Sequence, residues 1–135
     1  MKIIDESFQL FWVDEASCGN KIRSSIEKLL DLQKITKTIK NNRGKRQMLN
    51  LHERILKFKT KEPDIANYLL ALKWIGNQGS HINTVLTKIE LVDAYKILEV
   101  SLVDLYDKTR LEVNRLTRKI NKDKKHNIKR KLTRD

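Results

Sequence analysis

Six consecutive residues, Gly76-Asn77-Gln78-Gly79-Ser80-His81, hold the side chains of this sequence best suited to chemistry. Two of its four glycines and one of its three histidines fall there, just after Trp74, one of two tryptophans. Gly76 and Gly79 permit close backbone approach or positive φ. Asn77 donates and accepts hydrogen bonds, so it can cap a helix or orient another group. His81 can give or take a proton near neutral pH. Lys73, three residues before Gly76 and about one helical turn away, supplies a cation. The residues alone leave two readings open: a helix C-terminus with its cap residues, or a small polar site ending in an imidazole.

Other reactive side chains are sparse. Cys18 is the only cysteine, which excludes an intrachain disulfide and a cysteine-based zinc site. No histidine lies near it in sequence, so it is a poor candidate nucleophile. His52, His81 and His126 lack metal-ligand spacing, and there is no phosphate-cradling glycine loop or dinucleotide fingerprint. No metal or cofactor is implied. His52 reads as a helix-edge residue and His126 as a solvated member of the basic tail. Trp74 adjoins an apolar stripe and reads as a core or dimer contact.

Helices must position these groups. Glycine is scarce, there is one proline, and no segment alternates as a strand bounded by turn residues, so the whole chain reads as all-α. Residues 3–13 form a short apolar segment with Phe8, Phe11 and Trp12 as candidate core contacts. Ser17, Gly19 and Asn20 suggest a break. The next helix runs from about Asn20 to Lys34, with Ile22, Ile26, Leu29 and Leu30 on one face and Arg23 and Glu27 spaced to pair. Residues 34–47 read as a basic loop, with Asn41-Asn42-Arg43-Gly44 as its turn. It is either solvated or a phosphate contact. A helix near 47–58 carries Met48, Leu51, Ile55, Leu56 and Phe58. Pro63 marks the next helix start, with Asp64 beside it. That helix buries Ile65, Tyr68, Leu69, Leu72 and Ile75, and loosens at Gly76. Thr87-Lys88-Ile89-Glu90 reads as a capping box, opening a helix from 88 to about 108.

Composition bounds the partners. The chain has 135 residues, a net charge of +12 and a charged fraction of 34%. This suits one domain with a polyanionic partner: nucleic acid, RNA ahead of DNA, or an acidic protein surface. Residues 110–135 hold eleven Lys or Arg against three carboxylates, +8 of that charge, and fraying is expected beyond Ile120. The candidate nucleic-acid contacts are Arg43, Lys45 and Arg46 in the loop and Arg115, Arg118, Lys119 and Lys122 in the tail. No apolar run approaches the roughly 18–20 residues of a membrane span. The N-terminus lacks the apolar core of a signal peptide. The expectation is a cytoplasmic protein without a membrane partner.

The stretch Ala71-Leu72-Lys73-Trp74-Ile75-Gly76-Asn77-Gln78-Gly79-Ser80-His81 resembles the signature of a HEPN-like domain of unknown function. This is an all-helical branch found beside restriction enzymes, helicases and other prokaryotic defence proteins. Cys18 to Leu30 resembles that family's early Ala-x-x-x-(Leu/Ile)-Arg-x-x-(Leu/Ile)-Glu-x-(Leu/Ile)-Leu helix, and Leu91 to Leu98 fits its last helix. The resemblance divides the chain into an N-terminal helical segment (1–14), a HEPN-like helical bundle (15–108) and a basic extension (109–135). HEPN ribonucleases carry an Arg-polar-x-x-x-His motif, generally completed by two protomers. Asn77 then stands at the polar position and His81 at the histidine, but Gly76 occupies the arginine position. The resemblance implies a homodimeric nucleic-acid- or partner-binding domain with a degenerate nuclease motif, in a prokaryotic or phage defence context. Gly76, Gly79, Arg23 and Glu27 would shape the motif. Two alternatives stand beside it. One is a metal-independent endoribonuclease using His81 as acid or base, Asn77 to orient, and Lys73 or Arg23 as the cation. The other is a non-catalytic scaffold subunit of a larger complex.

Overall fold

The computed structural model describes the backbone of residues 1–78 and 85–132 and the side chains of residues 1–77 and 85–124. Among these the chain is all-α, with six helices: α1 (Lys2–Leu10), α2 (Glu15–Leu32), α3 (Leu51–Lys59), α4 (Pro63–Gln78), α5 (Lys88–Tyr106) and α6 (Lys108–Leu132). One antiparallel hairpin, β1 (Thr38–Lys40) and β2 (Arg46–Met48), is inserted between α2 and α3. The chain forms two compact units, Met1–Ser101 and Leu102–Asp135.

In the first unit α2 is the central element. It packs against α1, α3 and α4, and α3 packs against α4. Its buried face carries Cys18, Ile22, Ile26, Leu29 and Leu30, facing Leu51, Ile55 and Phe58 of α3 and Ile65, Leu69 and Leu72 of α4. The helix begins earlier than its small residues suggest. Asp14 caps it, accepting from the Ser17 backbone at 3.0 Å and from the Ser17 hydroxyl at 2.6 Å. Ser17, Gly19 and Asn20 are therefore helical and mark no break. Lys34, at φ 58°, ends the helix in the left-handed region, and the Ile35 N–H returns to the Leu30 carbonyl at 2.9 Å.

Gly19 is inside the helix because another helix crosses it. A Cβ on Gly76 of α4 would stand 3.1 Å from the Arg23 Cβ and 3.2 Å from the Gly19 carbonyl oxygen. A Cβ on Gly19 would stand 2.6 Å from Cδ2 of Leu86. Glycine in a helix interior costs about 1 kcal/mol relative to alanine, so packing has overridden propensity at both positions. α4 accordingly continues through Gly76 and Asn77 to Gln78 instead of loosening there.

Residues 34–47, expected as a loop, contain the hairpin. Its register pairs Thr38 with Met48 and Lys40 with Arg46. Asn41 shapes the turn, its Oδ1 accepting from the N–H groups of Arg43 and Lys45 at 3.0 Å each. Met48 belongs to β2, not to the following helix, and both it and Leu56 are exposed. α3 starts instead at a capping box formed by Asn50 and Glu53. Pro63 opens α4 as expected. In α4, Tyr68 and Ile75 are half-buried, while Ile65, Leu69 and Leu72 are buried. The Thr87–Glu90 box at α5 is present: the Thr87 N–H donates to the Glu90 carboxylate at 2.8 Å.

The aromatic residues near the N-terminus do not build the core. Phe8 and Trp12 are exposed, and Ser7 is the buried residue of α1. Phe8 packs its ring on Tyr95 of α5 at 4.7 Å between centroids. The Tyr95 hydroxyl meets the Ser7 hydroxyl at 2.7 Å and the Cys18 thiol at 3.1 Å, joining α1, α2 and α5. In the second unit, α6 continues past Ile120 to Leu132 where fraying was expected. Its lysine- and arginine-rich sequence has high intrinsic helix propensity.

Asp31, at the far end of α2, holds α3. It accepts from Nη2 of the buried Arg54 at 2.8 Å and pairs with Lys37 at 3.2 Å. Burial pushes the Asp31 carboxyl up, but hydrogen bonds and charge from Arg54 and Lys37 outweigh it, so the group lies below its ordinary value. A depressed folded value means that the unfolded chain binds the proton more tightly. The contribution of Asp31 is complete above its unfolded pKa of about 3.9 and is lost as pH falls through the lower folded value.

Two outcomes are expected. Gly76→Arg should lower stability to urea by about 1–3 kcal/mol or more, as overpacking does; an unchanged midpoint would mean that the helices do not depend on this approach. Asp31→Asn should flatten the fall in urea midpoint between about pH 5 and pH 2. An acid profile identical to wild type would show that the pair with Arg54 does not contribute.

Candidate nucleic-acid interface

The last turns of α4 carry Lys73, Trp74 and Asn77, and their neighbours come from α2 and α3. Arg23 lies one turn along α2 from Gly19. Because Gly76 brings the backbones together, the Arg23 guanidinium reaches past it, and Nη1 donates to Asn77 Oδ1 at 2.8 Å. Arg23 thus turns to Asn77, and its expected partner Glu27 remains exposed on the next turn of α2.

Lys73 occupies the adjacent turn of α4, with most of its side chain buried. Its Nζ stands 4.0 Å from the centroid of the Trp74 indole and 3.4 Å from Nδ1 of His52 on α3. An ammonium only donates, so a hydrogen bond here has Nδ1 of His52 as its acceptor. Trp74, expected in the core or at a dimer contact, is 57% exposed. A cation held over an indole face is a cation–π pair. An exposed indole is also a surface on which a nucleobase can stack. The structure therefore brings Lys73, Trp74 and Asn77 together with Arg23 and His52. Gly79 and His81 lie outside the described residues, so the acid/base part of the motif has no described position.

The other candidate cations occupy separate places. Arg43, Lys45 and Arg46 are exposed at the hairpin turn and on β2. Arg115, Arg118 and Lys122 recur at i, i+3, i+7 and share one face of α6. Lys119, four residues after Arg115, shares that face, and Val113, Leu116 and Ile120 recur at i, i+3, i+7 on the opposite side, all exposed.

Two arrangements were not read from sequence. Arg54 stands within the apolar stripe Leu51, Ile55, Phe58, at the i+3 position, and an arginine in such a slot signals a buried, partnered charge. Tyr95 is the other: its hydroxyl partners, Ser7 and Cys18, are remote in sequence. Burial raises the Cys18 thiol above its ordinary value, with Glu15 and Asp14 adding to this against the hydrogen bond from Tyr95. Burial likewise raises the Tyr95 hydroxyl. Among the described residues no three His, Cys, Asp or Glu side chains gather as a metal site. None of the described helices is long and apolar enough to cross a membrane.

Residues 5–131 match the family described as Domain of unknown function (DUF4145), and the chain belongs to that family. No curated protein and no solved structure matches it.

Cys18, buried and held as the neutral thiol, should react with a disulfide reagent in the native state at least about a hundredfold more slowly than in urea, since reaction requires opening of the fold. Comparable rates would contradict its burial.

Proposed function

We propose that this chain is a HEPN-like nucleic-acid-binding domain with a degenerate nuclease motif, taking RNA as its partner. The contact of Arg23 with Asn77 beside Gly76 carries the reading. The motif's arginine position is filled by a glycine that the helix crossing requires, and a guanidinium from α2 stands next to the motif's polar residue instead. With Lys73 and the exposed Trp74, this offers cations for phosphate and a stacking face for a base. The basic faces of α6 and of the hairpin supply further cations for a polyanion. The cytoplasmic setting, the homodimer and the prokaryotic or phage defence context rest on the sequence reading and its resemblance.

The same contact favours a second reading, a metal-independent endoribonuclease. Cleavage by attack of a 2′-hydroxyl builds charge on the phosphoryl oxygens, and a cation must stabilise it. Arg23 is the guanidinium nearest the motif's asparagine, and His81 would transfer the proton.

Fluorescence anisotropy with single-stranded RNA across a salt series tests the first reading. Each phosphate contact contributes about −0.7 to the slope of log K against log salt. Replacing Arg115, Arg118 and Lys122 by alanine should reduce the slope by about 2 if all three touch phosphate. Affinity independent of salt, or absent at low salt, would sink the binding reading. The second reading is tested by RNA cleavage without metal, wild type against His81→Ala. Equal activity in both, or none in either, removes it.

A further inference from the structure

The part of α5 that belongs to the first unit has two contrasting sides. Leu91, Ala94 and Leu98 turn into the core. Ile89, Asp93, Lys96 and Val100 recur at steps of four and three on the opposite side, and all are exposed. This is the spacing of a seam between two paired helices. Ile89 is 76% exposed, although it belongs to an apolar residue type. Phe11 and Trp12, just after α1, form a groove of about 300 Å³ with Lys88, Ile89 and Val92. The exposed Trp12 ring is held in place there. The Phe11 ring meets it at right angles, 4.9 Å between centroids. Lys88 Nζ lies 5.7 Å from its centroid and pairs with Glu15 at 2.8 Å. Single exposed apolar side chains are ordinary, but several gathered at one groove mark a contact surface.

Charge narrows the occupant. The chain carries +12, so two copies repel over most of their surface. The α5 sequence is the exception, with Glu90, Asp93, Glu99 and Asp104 against Lys88 and Lys96. Here two copies can approach with least repulsion, and a polyanion is not favoured. At the centre of the stripe Asp93 and Lys96 stand 3.9 Å apart, beyond hydrogen-bond distance, with side chains 58% and 73% exposed. Each can take a second partner of opposite charge.

We infer that this stripe of α5 binds the same stripe of a second copy, antiparallel about a two-fold axis. In a two-fold contact, if one residue meets another, the second also meets the first. One antiparallel register sets Asp93 against Lys96 of the second copy, and Lys96 against its Asp93. The same register sets Ile89 against Val100 at both ends. The four layers then read apolar, ionic, ionic, apolar, and every layer is matched. Val100 of the second copy arrives at the groove that Ile89 shares with Trp12. The alternatives are mismatched. An axis passing at Asp93 or at Lys96 sets like charge against like, and so does a parallel pairing in register. Charged positions in a helix seam select register in this way.

The inference is independent of the reading of the Asn77 region, because it needs only α5 and the groove beside it. A dimer built instead around the Asn77 motif on α4 would not depend on the charges at Asp93 and Lys96. A contact of one helix face lies at the small end of specific interfaces, so the dissociation constant is expected on the order of 100 μM or tighter.

Analytical ultracentrifugation of the full chain without nucleic acid tests it, at concentrations up to on the order of 1 mM. Wild type should follow a monomer–dimer equilibrium. Asp93→Lys and Lys96→Asp, each alone, set like charges across the seam and should weaken self-association at least about tenfold. Ile89→Asp should do the same by removing an apolar layer. All three positions are exposed, so the melting curves should be unchanged. An equimolar mixture of the Asp93→Lys and Lys96→Asp chains restores both ion pairs between unlike copies. It should associate about as tightly as wild type, which an unfolded variant could not do. A wild-type chain that stays monomeric throughout, a dimer that survives the three substitutions, or a mixture that fails to associate would each overturn the inference.

Discussion

The first unit depends on how closely α2 and α4 approach at Gly19 and Gly76. With no side chain at either crossing point, the backbone of one helix rests on the other, and Leu86 fills the space over Gly19. Much follows from that contact. Cys18, the neighbour of Gly19, is sealed inside. Ile22, Ile26, Leu29 and Leu30 are carried on the same helix into the core. Arg23, a turn past the crossing, is brought to the end of α4, and Asp31 at the distal end secures Arg54. A single axis therefore supports both the Asn77 region and the attachment of α3 through Arg54.

The long periodic elements were legible in the sequence because they obey local rules. The stripe of α2, the proline that opens α4 and the Thr87–Glu90 box depend on spacing and capping alone. The misplaced break at Gly19 and loosening at Gly76 share one physical origin. A glycine in sequence is ambiguous between a turn and a close packing contact. Gly19 and Gly76 are resolved only by the partner helix, which lies more than fifty residues away. The hairpin was hidden for another reason. Its strands are three residues long and mostly exposed, so they leave no hydrophobic alternation, although the Asn41–Gly44 turn was visible. Trp74 adjoins an apolar stripe in sequence but stands a hundred degrees round the helix from Lys73, which directs it outward.

Cations were easy to count and hard to rank from sequence. Arg54 and Lys73 are among the buried polar residues, whereas Arg43, Lys45 and Arg46 are exposed. The charge total describes the long-range field of the protein. Local recognition is set by the few cations whose positions are fixed: Arg23 by Asn77, Lys73 by the Trp74 ring, and Arg54 by Asp31. Long exposed side chains lose rotamer entropy when they are fixed on a ligand. The fixed ones have lost it already on folding.

The partner chosen for Arg23 carries a consequence of its own. Asn77 accepts from the guanidinium with a neutral amide oxygen. An aspartate of the same size would hold the arginine more tightly, but would cancel its charge. The amide separates orientation from neutralisation: it fixes the direction of the guanidinium while leaving a full unit of positive potential at the end of α4. The shape of this corner is set by an uncharged group, and its field remains available to any anion that arrives there.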